Sequence, residues 1–297
     1  MRRLLALLGW LAAAPALAQP AGMIPVPQIA PGPAPGPARI VGGPGPGCIA
    51  GAERLPDSGP GFMTVRESRS SFWGHPEVIA GLKLLGQRAQ AAGLPVLLMN
   101  DISAPRGGPL PGGHVSHQLG LDADVYLDVV TPRPDRAALA ARNAIDPPGL
   151  VRADQRGVEP SRWRPQHITL MKLAATLPGV DRVLVNAAIK QQLCREVPAG
   201  DREWLRRIRP WYQHAAHMHI HFRCPAGNPE CGELAPIPAG DGCDASLQWW
   251  FDRLDQPPER KPPTTTRPSR PMVPAACGPI LTAPAATAVR GAAGTRP

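Results

Sequence analysis

Beyond its first residues the 297-residue chain has no apolar run of the ~20 residues that a membrane helix needs, which excludes a membrane channel. It has no Gly-X-Y period, so its 40 prolines and 31 glycines do not make a collagen. No His-Glu-x-x-His segment occurs, so the common helical metalloprotease arrangement is absent. Aromatic residues are scarce, at 4%, which suits a peptide ligand better than a sugar stacked on exposed rings. Positive charge is in excess, a net +9, but its placement argues against nucleic acid. Arg2 and Arg3 lie at the N-terminus, and Arg260, Lys261, Arg267, Arg270, Arg290 and Arg296 crowd the tail against Glu259 alone. What lies between is nearly neutral, so no nucleic-acid partner is expected. The basic tail serves solubility or holds the protein near an anionic polymer or membrane surface.

What is present is unevenly distributed. Nine prolines fall in 19–47 and ten in 256–297, which marks a folded core between two Pro-rich arms. Met1, Arg2 and Arg3 precede the short apolar stretch Leu4–Ala14, and Ala16-Leu17-Ala18 fits the small-residue cleavage pattern. The expected division is a signal peptide over 1–18, cut between Ala18 and Gln19, a Pro/Gly-rich linker over 19–47, a folded domain over 48–255 and a Pro-rich basic tail over 256–297. The apolar stretch is too short to span a bilayer, so no stable membrane span is expected. Export permits disulfides among the 6 cysteines. Their spacing does not choose a pairing. Cys277 sits alone in the low-complexity tail, however, and a bond to the other outlying cysteine, Cys48, would tie the two arms across the core.

Residues 76–93 begin with Pro76 at a first helical position and repeat apolar residues at helical spacing. Leu94–Met99 reads as a buried strand, followed by a Gly/Pro-rich loop from Ser103 to Gly113. Leu121–Leu127 alternates, with Asp122, Asp124 and Tyr126 on one face and Leu121, Ala123, Val125 and Leu127 on the other. A helix is expected over His167–Leu177, a strand over Arg182–Val185 and a short helix over 187–194. His217–Phe222 alternates again, and Asp244–Leu254 suggests a last helix. No βαβ regularity exists, so an α+β domain with a small, mainly antiparallel sheet flanked by helices is expected.

Six of the 8 histidines fall within 114–117 and 214–221. Neutral imidazoles plus a carboxylate are the ligand set of a catalytic zinc that keeps one position open for water. His219 and Asp124 lie on the polar faces of their strands and can converge, and His117 at the strand entry completes the set. His217 and His219 are about 7 Å apart along a strand, so one can ligate while the other reaches the bound water. Asp122 is read as a partner of these groups, and His75 and His167 as structural. Cys224 and Cys231 follow closely and could suggest a Cys/His zinc site, but an oxidising compartment favours a disulfide between them.

At this point the residues resemble a known family. His117, six residues, Asp124, then His217-x-His219 is similar to the zinc peptidases grouped around lysostaphin, the D-Ala-D-Ala metallopeptidases and the hedgehog fold. The match tightens to the penicillin-insensitive murein endopeptidases over Ser71-Phe-Trp-Gly-His-Pro76, Pro105-Arg-Gly-Gly-Pro109, Gly113-His-Val-Ser-His-Gln-Leu-Gly-Leu-Asp-Ala-Asp124, Arg209-Pro-Trp-Tyr-Gln-His-Ala-Ala-His-Met-His219 and Gly240-Asp-Gly-Cys243. It covers residues from about 48 to 280.

The resemblance implies a periplasmic enzyme that hydrolyses D-alanyl–meso-diaminopimelyl crosslinks of peptidoglycan. It implies zinc ligands His117, Asp124 and His219, active-site histidines His217 and His214, and His114 as a further metal-associated position. It also implies three bridges, Cys48–Cys277, Cys194–Cys243 and Cys224–Cys231. Some members carry an acidic residue and, three positions on, a histidine shortly before Trp-x-Pro. Counting back from Trp163-Arg-Pro165, the positions here are Asp154 and Gly157, and a glycine side chain cannot ligate. One zinc is therefore expected, with Asp154 the remaining candidate towards a second. No serine nucleophile is needed, so β-lactams, which acylate such serines, have no target. Two other readings stand beside this one. A D,D-carboxypeptidase or dipeptidase would use the same zinc with loops 103–113 and 150–165 closing the groove. A non-catalytic, disulfide-stapled wall-binding module would carry degraded ligands.

Overall fold

The computed structural model describes residues 22–111, 115–129, 146–256 and 271–285. The N-terminal part is built from short strands: β1 Met23–Pro25, β2 Arg39–Gly42, β3 Gly47–Ala50, β4 Glu53–Arg54, β5 Ser58–Gly59, β6 Phe62–Thr64 and β7 Trp73–Gly74. Then come α1 Pro76–Ala91, β8 Leu97–Met99, β9 Asp122–Tyr126, α2 Pro165–Ala175, β10 Val180–Val185 and α3 Ala187–Glu196. The C-terminal part adds β11 Ile208–Pro210, β12 His217–Phe222, α4 Ala245–Asp252, β13 Met272–Pro274 and α5 Cys277–Thr282.

The main sheet has seven strands in the order β11-β10-β12-β9-β8-β6-β5. Only β10/β11 and β6/β8 are parallel, so the sheet is mainly antiparallel and the fold is α+β. Its middle is the β9/β12 pair, where His219 lies opposite Asp124 and His221 opposite Asp122. Strand alternation puts Ala123, Val125, Met218, Ile220 and Phe222 on the other face. These join Val78, Ile79, Leu82 and Leu85 of α1 and Leu170, Met171 and Ala174 of α2 in the main core. The expected helices are present with local causes. His75 caps α1 by accepting from the Glu77 amide at 3.3 Å, Asn186 caps α3, and Asp244 caps α4. His167 accepts from the Arg164 amide at the start of α2 and donates through Nε2 to the Leu127 carbonyl at 2.8 Å.

Three observations depart from the sequence pattern. The strand expected from Leu94 begins only at Leu97, because Pro95 offers no amide to the ladder. The polar face of β9 is as buried as its apolar face, since facing imidazoles cover its carboxylates. Asp244–Leu254 is not the last helix, because α5 follows it.

Residues 22–47 and 271–285 pack together rather than trail. β1 pairs antiparallel with β13, and Ala34, Val41, Cys48, Ala50, Val273, Cys277, Ile280 and Leu281 form a second small core. Arg106, fully buried, stitches both segments: its guanidinium donates to the carbonyls of Gly32 at 2.8 Å and Ile280 at 2.7 Å. Isolated Ile and Val between prolines supply little periodicity, so partners 230 or more residues away are invisible to local pattern. The disulfides are Cys48–Cys277, Cys194–Cys243 and Cys224–Cys231. Cys48–Cys277 closes a sequence separation of 229 residues. Replacing both cysteines by alanine is expected to remove about 5 kcal/mol of loop-closure stabilisation and to lower Tm by roughly 10–20 °C. An unchanged calorimetric Tm in the double variant would refute that role.

Candidate metal centre and cleft

Asp124 is placed by backbone before any side-chain contact forms. Its amide donates to the Asp101 carbonyl at 3.0 Å, its carbonyl accepts from Asn100 at 2.8 Å, and it is register-paired with His219. His117 arrives from the preceding loop with φ of 63°, a left-handed conformation costly for a non-glycine residue. The loop is braced at Gly120, whose carbonyl accepts from the His75 amide at 2.9 Å. A Cβ at Gly120 would meet the Gly74 Cα at 3.0 Å. The Ser71–Pro76 motif thus acts as a buttress for the loop that carries His117. Gln213 and His214 are also left-handed, with φ of 62° and 40°. Asn186, at the start of α3, donates to the carbonyls of Gln213 and His214, each at 3.0 Å.

These supports bring one ligand atom each from His117, Asp124 and His219 to within 4.8 Å of one another, all three residues buried. His117 donates through Nδ1 to the Ile102 carbonyl at 3.1 Å, leaving Nε2 to face Asp124 Oδ1 at 3.5 Å. His219 donates through Nε2 to Asp122 Oδ1 at 2.8 Å, leaving Nδ1 to face Asp124 Oδ1 at 3.1 Å. With both rings neutral, two imidazole lone pairs would face one carboxylate, an arrangement that a proton or a metal cation between them relieves. This donor set fits a metal ion, and the outer hydrogen bonds fix each ring as such sites require. Asp122 is the hub of that outer layer: it also accepts from His221 Nδ1 at 2.8 Å and from the His117 amide at 3.3 Å.

The electrostatics agree with the geometry. Burial acts to raise both carboxyls, but the imidazoles win. His221 and His219 hold Asp122, and His117, His217 and His219 hold Asp124, well below the usual carboxylate range. Burial would likewise depress His219, yet hydrogen bonds and charge from Asp122 and Asp124 push it up to about 10, and Asp124 raises His117. The field that favours a proton on these rings favours a metal cation, so acid competes with metal for the same atoms.

The other sequence-predicted residues divide. His217 borders the group, with Nε2 3.7 Å from Asp124 Oδ2 and its ring 5.1 Å from that of His214. Burial lowers the His217 pKa, and burial followed by the charge of His219 lowers that of His214 to about 4. His214 donates through Nδ1 to the Tyr212 carbonyl at 2.6 Å, which leaves Nε2 as an acceptor. His114 lies outside the described residues. Asp154 does not join the group: it is exposed on a turn, paired with Arg152 at 3.1 Å and accepting from the Arg156 amide at 2.9 Å. Those contacts already occupy its carboxylate, and the Arg156 amide leads the effects that lower its pKa.

His219 of this group also lines a cleft of about 450 Å³, together with Asp122, His214 and His221 and with Leu184, Arg209, Trp211 and Trp250. Pro44 and Gly45, from the Pro-rich N-terminal segment, form part of its rim. Among the described residues, neither 103–111 nor 150–165 contributes to that lining. Composition also concealed the aromatics. Four of the rings gather at one edge, Trp250 standing 6.0 Å from Trp211, 4.9 Å from Tyr212 and 5.1 Å from Trp249. The local signal for Trp211 and Arg209 was their place in the 209–219 motif. Trp250 and Pro44 had none.

Residues 40–282 match the family described as penicillin-insensitive murein endopeptidase. A protein of that name from Klebsiella pneumoniae subsp. pneumoniae is 44% identical over 237 residues, covering 79% of this chain and 85% of its own length. A protein of the same name from Salmonella newport is 42% identical over 252 residues, covering 84% and 88% respectively.

Proposed function

The chain belongs to the penicillin-insensitive murein endopeptidase family, and from that premise we propose that it is an exported zinc D,D-endopeptidase that hydrolyses D-alanyl–meso-diaminopimelyl crosslinks of peptidoglycan in the periplasm. The observation that carries this reading is the convergence of His117, Asp124 and His219 within 4.8 Å beside a cleft. Three disulfides and the absence, among the described residues, of any helix long and apolar enough to cross a membrane fit the compartment.

His117 Nε2, Asp124 Oδ1 and His219 Nδ1 would hold the metal. What a zinc supplies in such a site is Lewis acidity towards the scissile carbonyl and an acidified water. The chain's own groups do the rest. His217, kept neutral by burial, accepts the proton released as water attacks and returns it to the departing amine. His214, also neutral, offers Nε2 as a hydrogen-bond acceptor that orients water or peptide N–H. Asp122 keeps the His219 and His221 rings from turning. Asp154 takes no part.

Incubation with crosslinked muropeptide dimers, before and after chelation and zinc return, tests the reading. Expected products are two monomers, lost on chelation and restored by zinc. Release of terminal D-alanine from pentapeptide monomers with dimers left intact would assign a carboxypeptidase, and binding without any product would assign a wall-binding module.

A further inference from the structure

Register places a basic residue in line with the metal group. Asp124 pairs with His219, His219 with Leu184, and Leu184 with Arg209, one residue per strand across β9, β12, β10 and β11. Paired residues share a sheet face, so Arg209 stands two strand spacings, about 10 Å, from His219. It lines the same cleft and is half-buried. Among the described residues, no acceptor lies within hydrogen-bonding or ion-pair distance of its guanidinium. Arg182, in the same wall, differs: it donates to Asp181 at 2.6 Å and to the Ala235 carbonyl at 2.7 Å. The nearby acid Asp244 acts on Arg209 by charge but without an ion-pair contact, and one of its carboxylate oxygens accepts from the Ser246 amide at 2.8 Å.

The guanidinium is also held in place. Gly242, with φ of 69°, lies so close that a Cβ there would meet Arg209 Nη1 at 2.9 Å. Its loop is pinned by Cys194–Cys243 and by buried Lys190, which donates to the Asp241 carbonyl at 2.5 Å. A preformed, half-desolvated guanidinium with no directly bonded anion is a receptor for one, and its planar fork matches a carboxylate.

We propose that Arg209 binds a carboxylate of the peptide stem and thereby sets the register of the stem against the metal group. This rests on the cleft's being a murein-peptide site. The chemistry suits it: a diaminopimelyl residue acylated on one amine keeps the carboxylate on the same carbon, and the acceptor stem ends in another, the donor stem's terminal carboxyl being the one joined in the crosslink.

The test compares crosslinked muropeptide dimers bearing free carboxylates with the same dimers amidated, on the zinc-loaded full-length protein. Wild type is expected to cleave the amidated dimer with kcat/KM roughly 10–100-fold lower, the worth of a hydrogen bond to a charged group. Arg209→Gln should lose a similar factor on the free dimer, mainly through KM, and change little on the amidated one. Arg209→Lys should recover part of the loss. If Arg209→Gln fails to fold, judged by Tm and zinc content, the wild-type ratio and Arg209→Lys decide. Equal rates on both dimers in wild type, or equal losses on both in Arg209→Gln, overturn the inference while leaving the function standing. A wild type that cleaves neither dimer overturns both.

Discussion

His219→Ala is expected to lose stoichiometric zinc and essentially all hydrolysis, and to lose stability as well. The side chain is both a ligand candidate facing Asp124 at 3.1 Å and the hydrogen-bond donor to Asp122 at 2.8 Å. Both carboxylates are buried. Removing the ring leaves two ionised groups short of a partner, a loss that reaches about 3–5 kcal/mol when a buried pair is broken. The disulfides keep the unfolded chain compact but do not replace that contact. His219→Gln restores a donor towards Asp122 without an imidazole. It should recover much of the stability and none of the zinc. Metal analysis beside a thermal melt separates the two effects, and zinc retained at one equivalent in His219→Ala would refute the ligand assignment.

His217→Ala should behave differently: zinc stays, Tm moves little, and kcat falls by roughly two to four decades, the usual worth of a general acid–base group. Its ring lies 3.7 Å from Asp124 Oδ2 but is partly exposed, and burial sets its protonation. The sign follows. A histidine whose pKa is lowered in the fold is neutral, and able to accept a proton, above that pKa; activity falls as pH drops through it. A neighbouring metal cation acts in the same direction. With zinc kept saturating, the acid limb of the kcat/KM profile that His217 sets should therefore be displaced below the ordinary histidine range in wild type and be lost in His217→Ala, leaving only the fall caused by metal release at lower pH. Equal zinc loss in His217→Ala and His219→Ala would show the two roles to be exchanged or shared.

The donor types, the strands that carry them and the α+β class were legible without coordinates, because each rests on local periodicity. Alternation at Leu121–Leu127 and at His217–Phe222 puts acids and imidazoles on one face of each strand whatever surrounds them. Pro76 and the apolar spacing after it make α1 for equally local reasons. The long motif from Gly113 to Asp124 was specific enough to point to a family. Tertiary structure decided everything that depends on which strand lies beside which. Only the antiparallel register sets His219 opposite Asp124 and His221 opposite Asp122, which makes Asp122 the hub of the outer layer. Only the order β9-β12-β10-β11 carries the row onward to Arg209. The Pro-rich segments were opaque for the converse reason. Their few apolar residues have no period, and β1 finds β13 across almost the whole chain, a pairing set by packing at a distance and not by any neighbouring residue.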